Sequence, residues 1–190
     1  RRLKVIDLSE NGAQPMHSAC HRYVLVFNGE IYNHHTIRAE LEDHGLAPNW
    51  RGHSDTEILL AGFVAWGVVA TLQRAVGMFS LALWDKKERR LTLGRDRFGE
   101  KPLYYGWLGK GNGQTFVFGS ELKALRAFPN FDNPINRDVL ALYFRFSAVP
   151  APYSIFQDIF KLEPGHILVL QGEGFNHRAI KIEPYWQLTV

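Results

Sequence analysis

Four residues have the types and the spacing of a site for an amino acid. Asn28, Gly29 and Glu30 follow one another in the segment FNGEIYN, and Asp55 follows in the segment RGHSDTE. Carboxylates attract an ammonium group, and an amide beside a glycine N–H can stabilise an oxygen that becomes negative. The pattern therefore predicts a place where an amino-acid substrate is held.

Each half of this pattern also has a purely structural interpretation. The apolar alternation before Asn28 predicts a strand, and the Asn-Gly pair that ends it favours a tight turn with a solvated Glu30. Ser54 and Glu57 have the spacing of a capping box that starts a helix. An aspartate on the first turn of that helix is favourable in itself and can still face a pocket.

FNGEIYN and RGHSDTE are two of seven sequence motifs that extend over nearly the whole chain. In order they are RLKVID at 2–7, GAQPM at 12–16, FNGEIYN at 27–33, RGHSDTE at 51–57, GRDRFGEKPLYYG at 94–106, FGSELKAL at 118–125 and SIFQDIFKLEPGH at 154–166. Together they resemble the glutaminase domain of glutamine-hydrolysing asparagine synthetases, which is a class II amidotransferase domain of the Ntn type.

The resemblance implies a fold and a reaction. The fold is α+β, an Ntn-hydrolase-like αββα sandwich of antiparallel sheets with flanking helices, incomplete at the N-terminus, with residues 1–190 forming one domain. Such domains hydrolyse glutamine and pass the ammonia to an ATP-dependent synthetase domain of the same chain, which amidates aspartate. ATP and Mg²⁺ belong to that second domain, so we expect no cofactor and no metal in this one.

The family's nucleophile is an N-terminal cysteine whose own α-amine acts as the general base. This chain begins with Arg1, so the resemblance implies a truncated N-terminus and a piece that is inactive by itself. Cys20 is the only cysteine, and it is internal, without a free amine. A papain-like pair of Cys20 with His21 is disfavoured because neighbouring side chains on a strand point to opposite faces.

The resemblance also assigns the contacts with glutamine. Arg2 matches the arginine that binds the α-carboxylate, and Glu30 and Asp55 match the positions that bind the α-ammonium group. Leu3 and Val5 fall at further glutamine-binding positions. A planar guanidinium suits a carboxylate, and two carboxylates suit an ammonium group, so the charge pattern also makes physical sense.

The oxyanion hole of the family is matched by Asn28 and Gly29. In it, a side-chain amide and a backbone N–H point at the oxygen that becomes negative in the tetrahedral intermediate. A glycine allows the close approach that such a contact needs.

A second charged motif is interpreted differently. Arg95, Asp96 and Arg97, with Lys101 and Pro102, form a corner between two strands. We expect a buried ion-pair turn there rather than a direct catalytic role.

Two other functions stay open from the sequence. The chain resembles, less closely, the class II amidotransferases that make glucosamine phosphate or phosphoribosylamine. It could also be a non-catalytic interaction or regulatory module that kept the fold, although intact site residues argue against that.

Composition limits the partners. Of 190 residues 46% are hydrophobic and 13% aromatic, which is enough for a sizeable core. The net charge of +3 is too small and too scattered to indicate nucleic acid, and no run of 18 apolar residues predicts a membrane span. We expect glutamine and a C-terminal synthetase domain as partners, leave a homodimer open, and expect a cytoplasmic protein because one cysteine cannot form an intrachain disulfide.

The elements that position these residues follow from periodicity and caps. Short strands are predicted at 22–27, 78–84, 91–95, 103–107, 115–118 and 166–170. Helices are predicted at 34–44, at 55–66, at 120–127 with Ser120 as the cap, and after Asn136 to about 145. Hairpin-length loops between strands favour antiparallel pairing.

Overall fold

The computed structural model describes residues 10–129, 131–171 and 180–188. Their strands are β1 Met16–His17, β2 Tyr23–Ile31, β3 Gly77–Asp85, β4 Arg90–Arg95, β5 Tyr104–Leu108, β6 Thr115–Gly119, β7 Ile159–Lys161, β8 His166–Gln171 and β9 Ile180–Pro184. Their α-helices are α1 His34–Asp43, α2 Asp55–Trp66, α3 Val68–Arg74, α4 Leu122–Arg126 and α5 Arg137–Phe146.

The strands form two antiparallel sheets. The larger has the order β1-β2-β3-β4-β8-β9, and the smaller has the order β6-β5-β7. Pairing is antiparallel at every ladder of the described residues, as the short loops predicted.

Three apolar clusters hold the layers together. In the first, Ile37 of α1 and Leu59 of α2 pack with Leu25 and Phe79 on one face of the larger sheet. In the second, side chains such as Leu93 and Leu168 from the larger sheet meet Tyr105 and Trp107 from the smaller one. In the third, Leu125 of α4 covers the outer face of the smaller sheet. The order helix, sheet, sheet, helix confirms the predicted αββα class.

Strand β2 decides where the candidate site lies. Its buried residues alternate along the strand, with Leu25, Phe27 and Ile31 facing the helices. The residues between them, including Asn28 and Glu30, therefore face the side of the smaller sheet, because successive side chains of a strand alternate.

The predicted turn at Asn28–Gly29 is wrong. Asn28 pairs with Ser80 and Gly29 with Phe79, and the ladder with β3 continues to Ile31. Nine residues of β2 find partners in β3, and this long register outweighs the local preference of an Asn-Gly pair for a turn.

Two predicted helix caps also need correction. Ser54 does cap α2, but its hydroxyl accepts from Thr56 N at 3.2 Å rather than from Glu57. The Glu57 carboxylate accepts instead from the backbone N–H groups of Arg51 and Gly52, each at 3.0 Å, so the capping box is not formed.

Ser120 does not cap a helix, because α4 begins at Leu122 with Glu121 at the N-cap. The predicted cap at Asn136 is confirmed, since its side chain accepts from the N–H groups of Asp138 and Val139.

Four elements were not predicted: β1, α3, β7 and β9. Two of these strands have only two or three residues, too few for a periodic signal. Among the helices of the described residues, none has the length and the apolar character needed to cross a bilayer.

Candidate active site

The outer edge of β2 carries a row of backbone N–H groups. Phe27 N donates to the Gln14 side chain at 2.7 Å, and Ile31 N donates to the Asp55 carboxylate at 3.0 Å. In a strand, N–H groups two residues apart point to the same side, so Gly29 N–H points to this edge between the two.

The partner strand supports this direction for Gly29. Phe79, which lies opposite Gly29, uses its carbonyl to accept from Asp96 N at 2.8 Å, and its own N–H donates to the Asp96 carboxylate at 3.3 Å. Both backbone groups of Phe79 thus face away from β2. On the other side, β1 pairs with β2 only as far as Leu25, so within the described residues the ladder does not use Gly29 N–H.

Gly29 is also required by packing. A Cβ at this position would collide with the Met78 carbonyl oxygen and would lie 2.6 Å from Phe79 Cα. Both obstacles are backbone atoms of β3, which cannot move without breaking the ladder. Only glycine lets β2 approach β3 this closely.

The Asn28 side chain is exposed, and its amide nitrogen donates to the Ser120 hydroxyl at 2.9 Å. The Ser120 hydroxyl in turn lies 3.4 Å from that of Ser80, which is opposite Asn28 in β3 and 3% exposed. The amide is therefore held between the two sheets, at the end of β6.

The two predicted ammonium ligands differ in their surroundings. Asp55 is 5% exposed, and its oxygens accept from Ile31 N and from Thr56 N at 2.8 Å. Glu30 is half-buried, and among the described residues its carboxylate has neither a hydrogen bond nor an ion pair. Asp55 thus ties α2 to the end of β2, while Glu30 keeps its acceptors for another group.

The structure brings Asn28, Gly29, Glu30 and Asp55 to the same end of β2. Arg2, Leu3 and Val5 lie outside the described residues, and their part in glutamine binding stays a prediction.

Arg95 and Asp96 of the corner after β4 are buried, as predicted, but no ion pair with a described residue holds them. The Arg95 guanidinium donates to the carbonyls of Lys101 and Leu162 at 2.8 and 2.6 Å. Asp96 is fully buried and accepts from the N–H groups of Glu100 and Lys101, both at 2.9 Å. Burial lowers the pKa of Arg95 from its ordinary value. Backbone groups are thus the partners of both charges, and the motif shapes the corner.

Tyr185, the residue that follows β9, connects the end of this strand to the corner by a hydrogen bond. Tyr185 Oη donates to the Arg95 carbonyl at 2.9 Å, and burial raises the pKa of this phenol. Tyr185 N donates to Gly165 O at 2.9 Å. The phenol therefore stays protonated as the donor of a buried hydrogen bond.

Cys20 lies in the loop before β2, at the end opposite Asn28. Its sulfur is exposed and lies 3.4 Å from the Ser18 hydroxyl, which lowers the pKa of the thiol. The distance along β2 keeps this thiol away from the predicted oxyanion hole.

Three cavities of the described residues lie elsewhere. One of about 130 Å³ is beside Cys20 and Arg51, one of about 410 Å³ lies between Tyr104 and Tyr143, and one of about 360 Å³ opens between β5 and β9. Within the described ranges, no three His, Cys, Asp or Glu side chains are grouped to hold a metal ion.

Sequence reasoning missed two residues of this site. Gln14 lies in the GAQPM motif, but nothing in the motif indicates that its side chain would accept from β2. Ser120 has the appearance of a helix cap, and its contact with Asn28, 92 positions earlier, depends on the packing of the two sheets.

Comparison with known proteins identifies relatives. The "Glutamine amidotransferase domain" family matches residues 1–186. Asparagine synthetase [glutamine-hydrolyzing] 1 of Bacillus subtilis is 39% identical over 92% of this chain, and its paralogue 3 is 35% identical over 99%. A putative asparagine synthetase 2 of Methanocaldococcus jannaschii is 34% identical over 98%. The chain spans 26%, 29% and 37% of the length of these three relatives.

Solved structures share the fold. The glutamine phosphoribosylpyrophosphate amidotransferase of B. subtilis superposes with a TM-score of 0.62 at 19% identity, covering 95% of this chain and 33% of its own. The confirmed αββα architecture and the match over residues 1–186 agree with each other. The chain therefore belongs to the glutamine amidotransferase domain family and is homologous to the glutaminase domains of asparagine synthetases.

Proposed function

We propose that this domain binds free glutamine and takes part in the hydrolysis of its side-chain amide. The ammonia would serve a synthetase domain of the same longer protein, which uses ATP and Mg²⁺ to amidate aspartate. The names and the greater length of the asparagine synthetase relatives support this assignment.

The observation that carries the proposal is the direction of the Gly29 N–H. It points out of the sheet at an edge, next to the exposed Asn28 amide, while the N–H groups on either side of it are taken by Gln14 and Asp55. A backbone donor that no described residue uses, beside a side-chain amide, is the arrangement that stabilises an oxyanion.

The charges around this pair suit an amino acid. Glu30 is the neighbour of Gly29 on β2, and its carboxylate has no partner among the described residues, which supports its assignment as an acceptor for the α-ammonium group. Asp55 adds a second negative charge at the same end of the strand. Arg2 would then bind the α-carboxylate at the opposite side of the ligand.

The attack itself requires a nucleophile, for which the family uses a terminal cysteine with a free α-amine. In this reaction the sulfur adds to the side-chain carbonyl, ammonia leaves, and water then releases glutamate from the thioester. Asn28 and Gly29 would stabilise the negative oxygen in both steps.

The test is glutamate release from glutamine by the complete protein. Asn28→Ala is expected to lower kcat by roughly a hundredfold and to leave KM nearly unchanged, because the amide acts mainly in the transition state. Asn133→Ala is the matched control, since that amide binds Trp107 O and Gln157 O away from the site. A wild-type protein that releases no glutamate, or an Asn28→Ala variant with normal kcat, would refute the proposal.

A further inference from the structure

The Ser120 hydroxyl is the one side-chain partner that the structure gives to the Asn28 amide among the described residues. The bond joins β2 of the larger sheet to the segment that follows β6 of the smaller one. We infer that Ser120 is a positioning residue for glutamine hydrolysis, which fixes the Asn28 amide so that one of its hydrogens is aimed at the oxyanion. This inference rests on the proposed glutaminase function.

The chemistry of the amide makes such a partner necessary. A carboxamide has two N–H hydrogens on one side and only acceptor lone pairs on the other, and the two sides have almost the same shape. A donor for an oxyanion is useful only if the nitrogen, and not the oxygen, faces the substrate. An exposed asparagine without a partner would turn freely between these orientations.

Ser120 selects the orientation of the Asn28 amide through two hydrogen bonds. Its hydroxyl lies 3.4 Å from that of Ser80, which is buried and fixed in β3 opposite Asn28. When Ser120 donates its proton toward Ser80, its lone pairs face Asn28 and can accept only from the amide nitrogen. The first amide hydrogen then goes to Ser120 at 2.9 Å, and the second is left for the substrate oxygen.

The position of Ser120 in the fold makes this arrangement rigid. Gly119, the last residue of β6, pairs with Tyr104 of β5, and α4 begins two residues after Ser120. A Cβ on Gly119 would lie 2.8 Å from Leu125 Cδ1, so α4 is packed closely against the end of β6. The hydroxyl is thus set by the smaller sheet and the amide by the larger one.

The experiment compares glutaminase kinetics of the complete protein with Ser120→Ala, Ser120→Thr and Asn28→Ala. Ser120→Ala is expected to lower kcat by about tenfold with less than about a twofold change in KM, because a misaligned donor acts on the transition state. Ser120→Thr keeps the hydroxyl and is expected to restore most of the rate. In the Asn28→Ala background, Ser120→Ala should cause no further loss, because the amide that it orients is gone.

The matched control is Ser154→Ala. The Ser154 hydroxyl likewise has two hydrogen-bond contacts, in its case with the backbone of Phe156, accepting from Phe156 N at 3.1 Å and donating to Phe156 O at 3.3 Å. Neither contact involves Asn28. It should change the melting temperature about as much as Ser120→Ala does, while kcat stays at the wild-type value.

Three results would overturn the inference: an unchanged kcat for Ser120→Ala, an equal loss with and without the Asn28 amide, or an equal loss in Ser120→Thr. With an active wild type these results leave the glutaminase function standing. A wild-type protein without glutaminase activity overturns that function and this inference together.

Discussion

The corner after β4 and the outer edge of β2 both carry polar motif residues, but they use them in opposite ways. In the corner, Asp96 is fully buried and its oxygens accept from backbone N–H groups of four residues, Phe79, Phe98, Glu100 and Lys101. At the edge, the Gly29 N–H points outwards and Glu30 is half-buried without a described partner.

This difference separates a structural motif from a candidate site. A buried charge is tolerated when the protein supplies its hydrogen bonds, and at the corner backbone groups supply those of Arg95 and Asp96. Groups with spare hydrogen-bonding capacity are left where a ligand would complete them. The two regions meet at Phe79. Its backbone N–H and carbonyl bind Asp96, and on its other side it lies opposite Gly29 in the β2–β3 ladder.

The largest expected effect belongs to the corner. Asp96→Ala leaves four backbone N–H groups without their acceptor inside the protein, so we expect the free energy of unfolding to fall by about 3–5 kcal/mol. Urea denaturation of the complete protein measures it. Glu30→Ala is the contrasting variant and should change stability by less than about 0.5 kcal/mol; equal losses in the two variants would break the comparison.

Gly29→Ala tests a residue that is needed both for packing against β3 and for the candidate oxyanion hole. Its Cβ meets the backbone of β3, so we expect a loss of about 2–3 kcal/mol together with a loss of glutaminase activity. Gly113→Ala is the control, because nothing lies within 4 Å of a Cβ there, and its stability should stay within about 0.5 kcal/mol of wild type. A stable Gly29→Ala protein would mean that β2 can separate from β3 at this point.

Glu30→Gln tests whether the edge of β2 binds the α-ammonium group of the substrate. Loss of the negative charge is expected to raise KM for glutamine by about tenfold, since a charge-assisted hydrogen bond to the α-ammonium group becomes a neutral one. Stability should not change. Glu88→Gln, at the far end of β3, is the matched control, and a KM equal in both variants would remove Glu30 from the site.

The smallest effect is a pH dependence at the distant end of the larger sheet. Burial disfavours the charged form of Asp85, but hydrogen bonds from Arg22 and from the N–H groups of Glu88 and Lys87 outweigh it and lower the pKa of this carboxyl. The carboxyl therefore stabilises the fold above the ordinary aspartate pKa of about 3.9, and this contribution is lost as pH falls through the lower folded-state value.

We expect Asp85→Asn to be less stable than wild type at pH 7 and to lose less additional stability between pH 5 and pH 2. Urea denaturation across that range measures both. Parallel curves for the two proteins would show that Arg22 does not lower the pKa of Asp85.

Much of the architecture was predictable because the signals are local. The alternation at 78–84 and 166–170 and the cap at Asn136 gave elements close to the observed ones. The errors at Asn28–Gly29 and at Ser120 share a cause, which is tertiary contact. Pairing with β3 extends β2 through an Asn-Gly pair, and Ser120 turns from a helix cap into a partner of Asn28.

The site was predictable in its residue types but not in its directions. Asn28, Gly29, Glu30 and Asp55 were chosen from motifs, and the structure places all four at one end of β2. That the Gly29 N–H faces outward follows only from the register with β3 and from the use of Phe79 by Asp96. No spacing in the sequence contains this information.

The pairing of β4 with β8 has a consequence for how the chain is made. The ladder joins Arg90 to Gln171 and Gly94 to Ile167, so the middle of the larger sheet cannot close until the ribosome has released most of the domain. During that interval β2, β3 and β4 can already pair with one another, and the outer edge of β4 has no neighbour. An unpaired strand edge is a template for association between chains, so the late pairing with β8 also removes an edge at which two incomplete chains could associate.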